Sequence, residues 1–135
     1  MDDCIYCKIV EGKAPCFKIY EDGHFLAFLD IHPFCEGHTL VIPKKHYRWV
    51  WEVEAIGDYF ALCQKIVRHY RKLFNIELVS SLIFGESVPH AHIQLLPDID
   101  GHLRQRFGEK LAGMRLPQLE KEHGEALAQK LKLTI

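Results

Sequence analysis

No apolar run in this chain of 135 residues approaches the roughly 20 residues that cross a bilayer, and no basic-then-apolar leader precedes Cys4. Neither sign of charge is in excess: 17 basic residues stand against 18 acidic ones, a formal net charge of -1. Without a basic field there is little to hold a phosphodiester backbone, so neither nucleic acid nor membrane is an expected partner. Repeats, low-complexity tracts and Gly/Ser linkers are missing too. The five cysteines, Cys4, Cys7, Cys16, Cys35 and Cys63, are too sparse and odd in number for the disulfide framework of a small secreted domain. A cytoplasmic location is therefore expected. What is left, 48% apolar and 26% charged, is ordinary globular composition. A chain of this length can bury roughly 68% of its extended surface, and a single domain over residues 1–135 is expected.

Patterning places strands on both sides of one long helix. Residues 5–10 carry apolar spacing for one or two helical turns, through Ile5, Ile9 and Val10. Two β-rich runs, 17–20 and 24–29, flank Glu21, Asp22 and Gly23, a hairpin with glycine placed for a left-handed turn. Residues 38–42 follow Gly37, are β-branched and stop at Pro43, which makes a third strand. Between them, Asp30-Ile31-His32-Pro33 breaks regular structure, because proline pushes its predecessor out of the helical region. Over 54–74, Ile56, Phe60, Cys63, Val67, Tyr70 and Phe74 recur at helical spacing, and Tyr59, Leu62, Ile66 and Leu73 widen the apolar sector. A deeply packed core helix accounts for that width better than a subunit interface does. Residues 79–84 and 91–96 are further strands with a turn at 85–87, and the tail beyond 98 holds two amphipathic helical stretches, the second weakened by Gly124. The order implies an α+β domain, an antiparallel sheet covered by one helix.

Histidine is abundant, with nine in the chain, and it is the side chain most used near neutral pH for chemistry and metals. In Pro89-His90-Ala91-His92-Ile93-Gln94-Leu95-Leu96, strand alternation puts His90, His92 and Gln94 on one face and apolar residues on the other. A solvated edge strand explains this poorly, since strong β-formers surround the pair.

This segment resembles the active-site signature of the histidine-triad (HIT) superfamily of nucleotide hydrolases and transferases. It is the variant ending in glutamine, as in the galactose-1-phosphate uridylyltransferase and dinucleotide-polyphosphate phosphorylase branches. Asp3-Cys4-Ile5-Tyr6-Cys7-Lys8-Ile9, Ala27-Phe28-Leu29-Asp30-Ile31 and Gly37-His38-Thr39-Leu40-Val41-Ile42-Pro43-Lys44-Lys45-His46-Tyr47 fall in family order, so the likeness spans about residues 4–97. It implies a HIT-like sheet with a short N-terminal helix and a helical tail over 98–135, a purine nucleotide or dinucleotide as substrate, and a homodimer.

The resemblance makes His92 the nucleophile on the α-phosphorus, through a nucleotidyl-histidine intermediate. It assigns catalytic support to His90, Gln94 and Ser87, with the amides of the 85–88 turn on the phosphate. It gives Asp30 to the ribose hydroxyls and Ile31, Phe28, Tyr6 and Ile9 to the base pocket. Residues 80–85 are shorter than the family's usual stretch and contain no Asn; Lys44 and Lys45 are another source of charge for the phosphate, although paired lysines are more often a solvated strand end. Gln94 cannot deliver a proton at pH 7, so leaving groups that depart as anions are favoured over amines. A nucleotide-sensing module without turnover is the competing function.

Cys4-x-x-Cys7 is half of a tetrahedral zinc site, although such a pair is also a redox motif. The resemblance completes the site with His46 and His90. A closed Cys2His2 set would hold zinc structurally and would pin the strand that presents His92. His38 is an expected supporting partner. His24, His32, His69, His102 and His123 receive no role, and Cys16, Cys35 and Cys63 are read as small apolar residues.

Overall fold

Both faces of the sheet are covered, which is why its central strands are apolar throughout rather than alternating. The computed structural model describes residues 3–134. Five antiparallel strands, β1 (Lys18–Glu21), β2 (Phe25–Leu29), β3 (Thr39–Pro43), β4 (Val79–Leu82) and β5 (Ile93–Pro97), lie in the order β1-β2-β3-β5-β4. One face carries Phe25, Ala27, Val41, Ile93 and Leu95, packed with Tyr59, Leu62, Cys63, Ile66 and Tyr70 of α2 (Ile56–Phe74). The alternate residues Leu26, Phe28, Leu40 and Ile42 pack on the other face with Cys4 and Tyr6, the N-cap and second residue of α1 (Ile5–Val10). The α+β class and the antiparallel sheet are as expected.

Two phenols tie α2 to β3. The Tyr59 hydroxyl donates to the Val41 carbonyl at 2.5 Å, and the Tyr70 hydroxyl lies 2.7 Å from Thr39 Oγ1. The threonine proton goes to the Gly37 carbonyl at 2.8 Å, so Tyr70 is the donor in its pair. Tyr70→Phe should leave the Thr39 oxygen one partner short and cost about 1 kcal/mol. Urea titration checks this, and an unchanged midpoint would contradict the assignment.

Three details depart from the sequence patterning. Gly23 does not adopt a left-handed conformation; instead Asp22 Oδ1 accepts from the His24 and Phe25 amides at 2.7 and 2.8 Å and closes the hairpin itself. The buried face of α2 is centred on Tyr59, Leu62, Cys63, Ile66 and Tyr70, so Phe60, Leu73 and Phe74 are exposed and the apolar sector is not wholly core. β5 begins at Ile93, two residues later than expected, although the alternation of side chains continues back through His90. It also lies inside the sheet, between β3 and β4, which disposes of the solvated-edge explanation for its histidines.

The described residues fall into two compact units divided after Arg104. The second unit carries most of α3 (Leu103–Ala112) and all of α4 (Lys121–Leu131), which buries none of its residues. Gly124 does not interrupt α4: Leu119 folds over it, so that a Cβ there would meet Leu119 Cδ2 at 3.1 Å. Among the described residues, no helix is long and apolar enough to cross a membrane.

Candidate active site and metal centre

β5 delivers the site because register places Gln94 opposite both Leu40 and Leu82, on the α1 side of the sheet. His90 and His92 continue that face, while Ala91, Ile93 and Leu95 enter the α2 core. All three polar side chains are buried, at 0%, 3% and 7% exposure for His90, His92 and Gln94. Buried polar groups need partners, and the partners here determine each protonation state.

His92 Nδ1 lies 2.8 Å from the His90 carbonyl. A carbonyl only accepts, so Nδ1 carries the proton and Nε2 keeps its lone pair. The Tyr6 ring meets His92 edge-on, with centroids 5.4 Å apart, and touches Phe28 at 5.6 Å. Burial first, then the Asp30 and Cys4 charges, push the Tyr6 phenol up to about 12, so it remains a neutral wall.

His90 is oriented by the same logic. Its Nε2–H donates to the Pro43 carbonyl at 2.8 Å, leaving Nδ1 unprotonated and 3.4 and 3.5 Å from the Cys4 and Cys7 sulfurs. His46 Nδ1 is 3.2 Å from Cys7 Sγ. The ligand atoms of Cys4, Cys7, His46 and His90 all lie within 4.8 Å of one another. Zn–S and Zn–N bonds of about 2.3 and 2.0 Å put tetrahedral ligands about 3.5 Å apart, so the donor set fits that cation. A ring N–H held by a backbone carbonyl is the usual outer support of a metal-binding histidine. Burial and the Cys4 thiol push Cys7 up to about 11, which is opposite to the low value of a redox-active pair.

Beside this cluster lies a cavity of about 450 Å3 whose walls include Tyr6, Ile9, Phe28, Asp30, Ile31 and Ser87. Six of the seven residues expected to bind nucleotide therefore share one space, while Gln94 does not line it. Gln94 connects to it through His38: the His38 Nε2–Gln94 Oε1 distance is 2.9 Å, and Asp30 Oδ2 is 3.6 Å from the same nitrogen. Asp30 Oδ1 accepts from the His32 amide at 2.8 Å, so the Pro33 break folds a turn that aims the carboxylate.

Lys44 and Lys45 do not supply charge to this cavity. Lys44 pairs with Glu21 at 2.8 Å and Lys45 lies 3.7 Å from Glu54, and both line a separate depression with Gly23 and Tyr47. The cation at the 85–88 turn is Arg48, whose Nη1 donates to the Gly85 carbonyl at 2.5 Å. Its guanidinium stacks 3.7 Å over the Trp49 ring. Gly85 has φ +77°, and a Cβ there would meet Trp49 at 3.0 Å, so glycine is required by both backbone and neighbour. No spacing rule points to Arg48 or Trp49, because the pairing crosses 37 residues. Cys16 and His32, to which the sequence pattern gives no role, also line the cavity.

Residues 11–100 match the HIT domain family model. An uncharacterized HIT-like protein of Methanocaldococcus jannaschii is 39% identical over 113 residues, covering 78% of this chain and 88% of the relative. An adenosine 5'-monophosphoramidase of Schizosaccharomyces pombe is 38% identical over 97 residues, covering 70% of this chain and 73% of that protein. The solved structure of a zinc-bound histidine triad family protein from Mycobacterium smegmatis superposes with a TM-score of 0.63 at 32% identity, over 71% of this chain and 75% of that one.

Proposed function

This chain belongs to the HIT family, and from that premise we propose that it is a nucleotide hydrolase or nucleotidyltransferase acting at the α-phosphate through His92. The observation that carries this reading is the His92 tautomer: Nδ1–H is tied to the His90 carbonyl, so the lone pair of the neutral ring is on Nε2, where a nucleophile needs it. In the first step Nε2 forms a bond to the α-phosphorus as the bond from phosphorus to the leaving group breaks, and the leaving group departs with that electron pair. The ring of the adduct is cationic, and the His90 carbonyl on Nδ1–H stabilises that charge. Water or another acceptor then forms a bond to phosphorus as the P–Nε2 bond breaks, the electron pair returns to Nε2, and the acceptor's proton passes to solvent. Ser87 and the amides of the 85–88 turn stabilise charge on the phosphoryl oxygens. Asp30 takes the ribose hydroxyls, and Ile31, Phe28, Tyr6 and Ile9 enclose a purine. The S. pombe relative, a phosphoramidase by name, supports nucleotide chemistry in this family. Intact-mass analysis after brief incubation with diadenosine tetraphosphate tests the mechanism. A nucleotidyl adduct or turnover is expected, and tight binding with neither would make the chain a nucleotide sensor.

Cys4, Cys7, His46 and His90 would hold zinc, as the donor set and the M. smegmatis neighbour support. Bound there, the ion would contribute structure, with four protein ligands and no open position for water. It would fix the His90 ring, and with it the carbonyl that sets the His92 tautomer. Purified protein should carry about one zinc per chain, and chelation should lower Tm. Zinc-free protein of equal Tm and activity would remove His46 and His90 from the metal set.

A further inference from the structure

The turn at 85–88 holds a run of backbone amides whose direction nothing inside the turn fixes. Among the described residues, the Glu86, Ser87 and Val88 N–H groups donate to no protein acceptor. Glu86 and Ser87 are exposed, and Ser87 and Val88 line the cavity. The far end of the turn is anchored, because the His90 N–H donates to the Val88 carbonyl at 2.8 Å. At the near end stands Gly85, with φ +77° and the wide backbone freedom of a residue without Cβ. Its anchor comes from outside: Arg48 Nη1 donates to the Gly85 carbonyl at 2.5 Å. A carbonyl and the N–H that follows it share one planar trans peptide and point in opposite directions. Holding the Gly85 carbonyl on Arg48 therefore aims the Glu86 N–H away from Arg48 and keeps this peptide from flipping. A charged donor also polarises the peptide and strengthens the N–H at its other end. The guanidinium is itself held flat, 3.7 Å over the Trp49 ring, whose Cζ3 and Cε3 crowd Gly85. Among the described residues Arg48 pairs with no carboxylate, unlike Lys44 and Lys45.

We infer that Arg48 is a positioning residue that locks the Gly85–Glu86 peptide, so that the Glu86 N–H is presented to the phosphate of a bound nucleotide. The inference rests on the nucleotide reading of the cavity and deepens it with a residue that neither the resemblance nor the spacing assigns. The short stretch at 80–85 offers no Asn to the phosphate; the added polar group comes from Arg48, 37 residues before Gly85. A merely structural arginine could bond any carbonyl of the fold. This one bonds the carbonyl that opens a run of three unpartnered amides beside the cavity.

Equilibrium dialysis with AMP and with adenosine reads the phosphate contribution without requiring turnover. Wild type should bind AMP on the order of tenfold or more tighter than adenosine, the scale of one hydrogen bond to a charged group. Arg48→Met keeps an apolar stem against Trp49 but has no donor. It should lose most of that ratio, while adenosine affinity, which reports an intact pocket, holds. Arg48→Lys keeps the charge without the planar fork and should recover only part of the loss. An unchanged ratio in the methionine variant overturns the proposal, and so does a lysine variant equal to wild type, which would leave only a field effect. Should Arg48→Met fail to fold, Trp49→Leu removes the stack beneath the guanidinium and should lower the same ratio; no change there overturns the lock. The Glu86 amide proton gives the direct signature by NMR. AMP should move it downfield in wild type and adenosine should not, and a signal that AMP leaves in place overturns the inference. Failure at His92 shows separately: a protein that passes these tests yet forms no nucleotidyl adduct keeps the Arg48 lock and loses the nucleophile. A wild type with no preference for AMP overturns the Arg48 proposal whatever the adduct shows.

Discussion

His92→Asn should remove turnover on the order of 10⁴–10⁶-fold, the scale on which losing a covalent nucleophile is felt, while AMP affinity changes little. The reasons are separable in the structure. Asparagine has no nucleophilic lone pair to match Nε2, but its amide NH2 can take over the Nδ1–H bond to the His90 carbonyl, so the strand geometry survives. The cavity walls are built by Asp30, Ser87 and apolar side chains from α1 and β2; Tyr6, which meets the His92 ring edge-on, also packs against Phe28 and keeps that support. Equilibrium dialysis with AMP and steady-state kinetics on diadenosine tetraphosphate read the two properties independently. Retained turnover would sink the His92 mechanism. Lost affinity would instead show that His92 helps to form the binding pocket.

The parts of this site legible in the sequence were those governed by local periodicity or short spacing. Alternation placed His90, His92 and Gln94 on one face without knowledge of the sheet, and Cys4-x-x-Cys7 announced two converging thiols. Pro33 marked the break that lets Asp30 turn its carboxylate into the cavity. The assignments joining distant segments, His46 to Cys7 or Asp30 to Ser87, came from family resemblance, because no period connects them. What stayed hidden were properties of partners rather than positions. The tautomers of His38, His90 and His92 are set by the Phe34 amide and by the Pro43 and His90 carbonyls. Backbone groups carry no sequence signal at all.

The misplaced elements have the same origin. Gly23 looked like the conformational key to the first hairpin, yet Asp22 satisfies two amides and closes the turn without a positive φ. On α2, two overlapping apolar stripes left the centre of the buried face undetermined, and packing against Phe25, Ala27, Val41 and Leu95 settled it on Tyr59, Leu62, Cys63, Ile66 and Tyr70. Lys44 and Lys45 sat in a promising motif, but the acidic partners Glu21 and Glu54 draw them away. Such choices depend on which neighbour arrives, and only the assembled sheet specifies the neighbour.

Gln94→His should change substrate preference more than overall rate. Glutamine at this position can donate a hydrogen bond to a phosphoryl oxygen but cannot give up a proton at neutral pH. An imidazole there can do both: one nitrogen accepts the His38 Nε2–H that Oε1 now receives, and the other presents its own N–H to the leaving group. Protonated to an imidazolium, that ring can give an N–H proton to an amine leaving group and remain as a neutral imidazole, which an amide cannot do. General-acid assistance is worth typically 10²–10⁴-fold when the leaving group needs it. Adenosine 5'-phosphoramidate, with an amine leaving group, should therefore gain by about that factor. Diadenosine tetraphosphate, which releases a stabilised polyphosphate anion, should gain little. The ratio of kcat/KM between the two substrates is the measurement, because loss of fold or affinity lowers both and cancels. An equal change on both, or a wild type already efficient on the phosphoramidate, would place proton delivery elsewhere. Ser87, exposed on the cavity wall, would then be the first residue to replace.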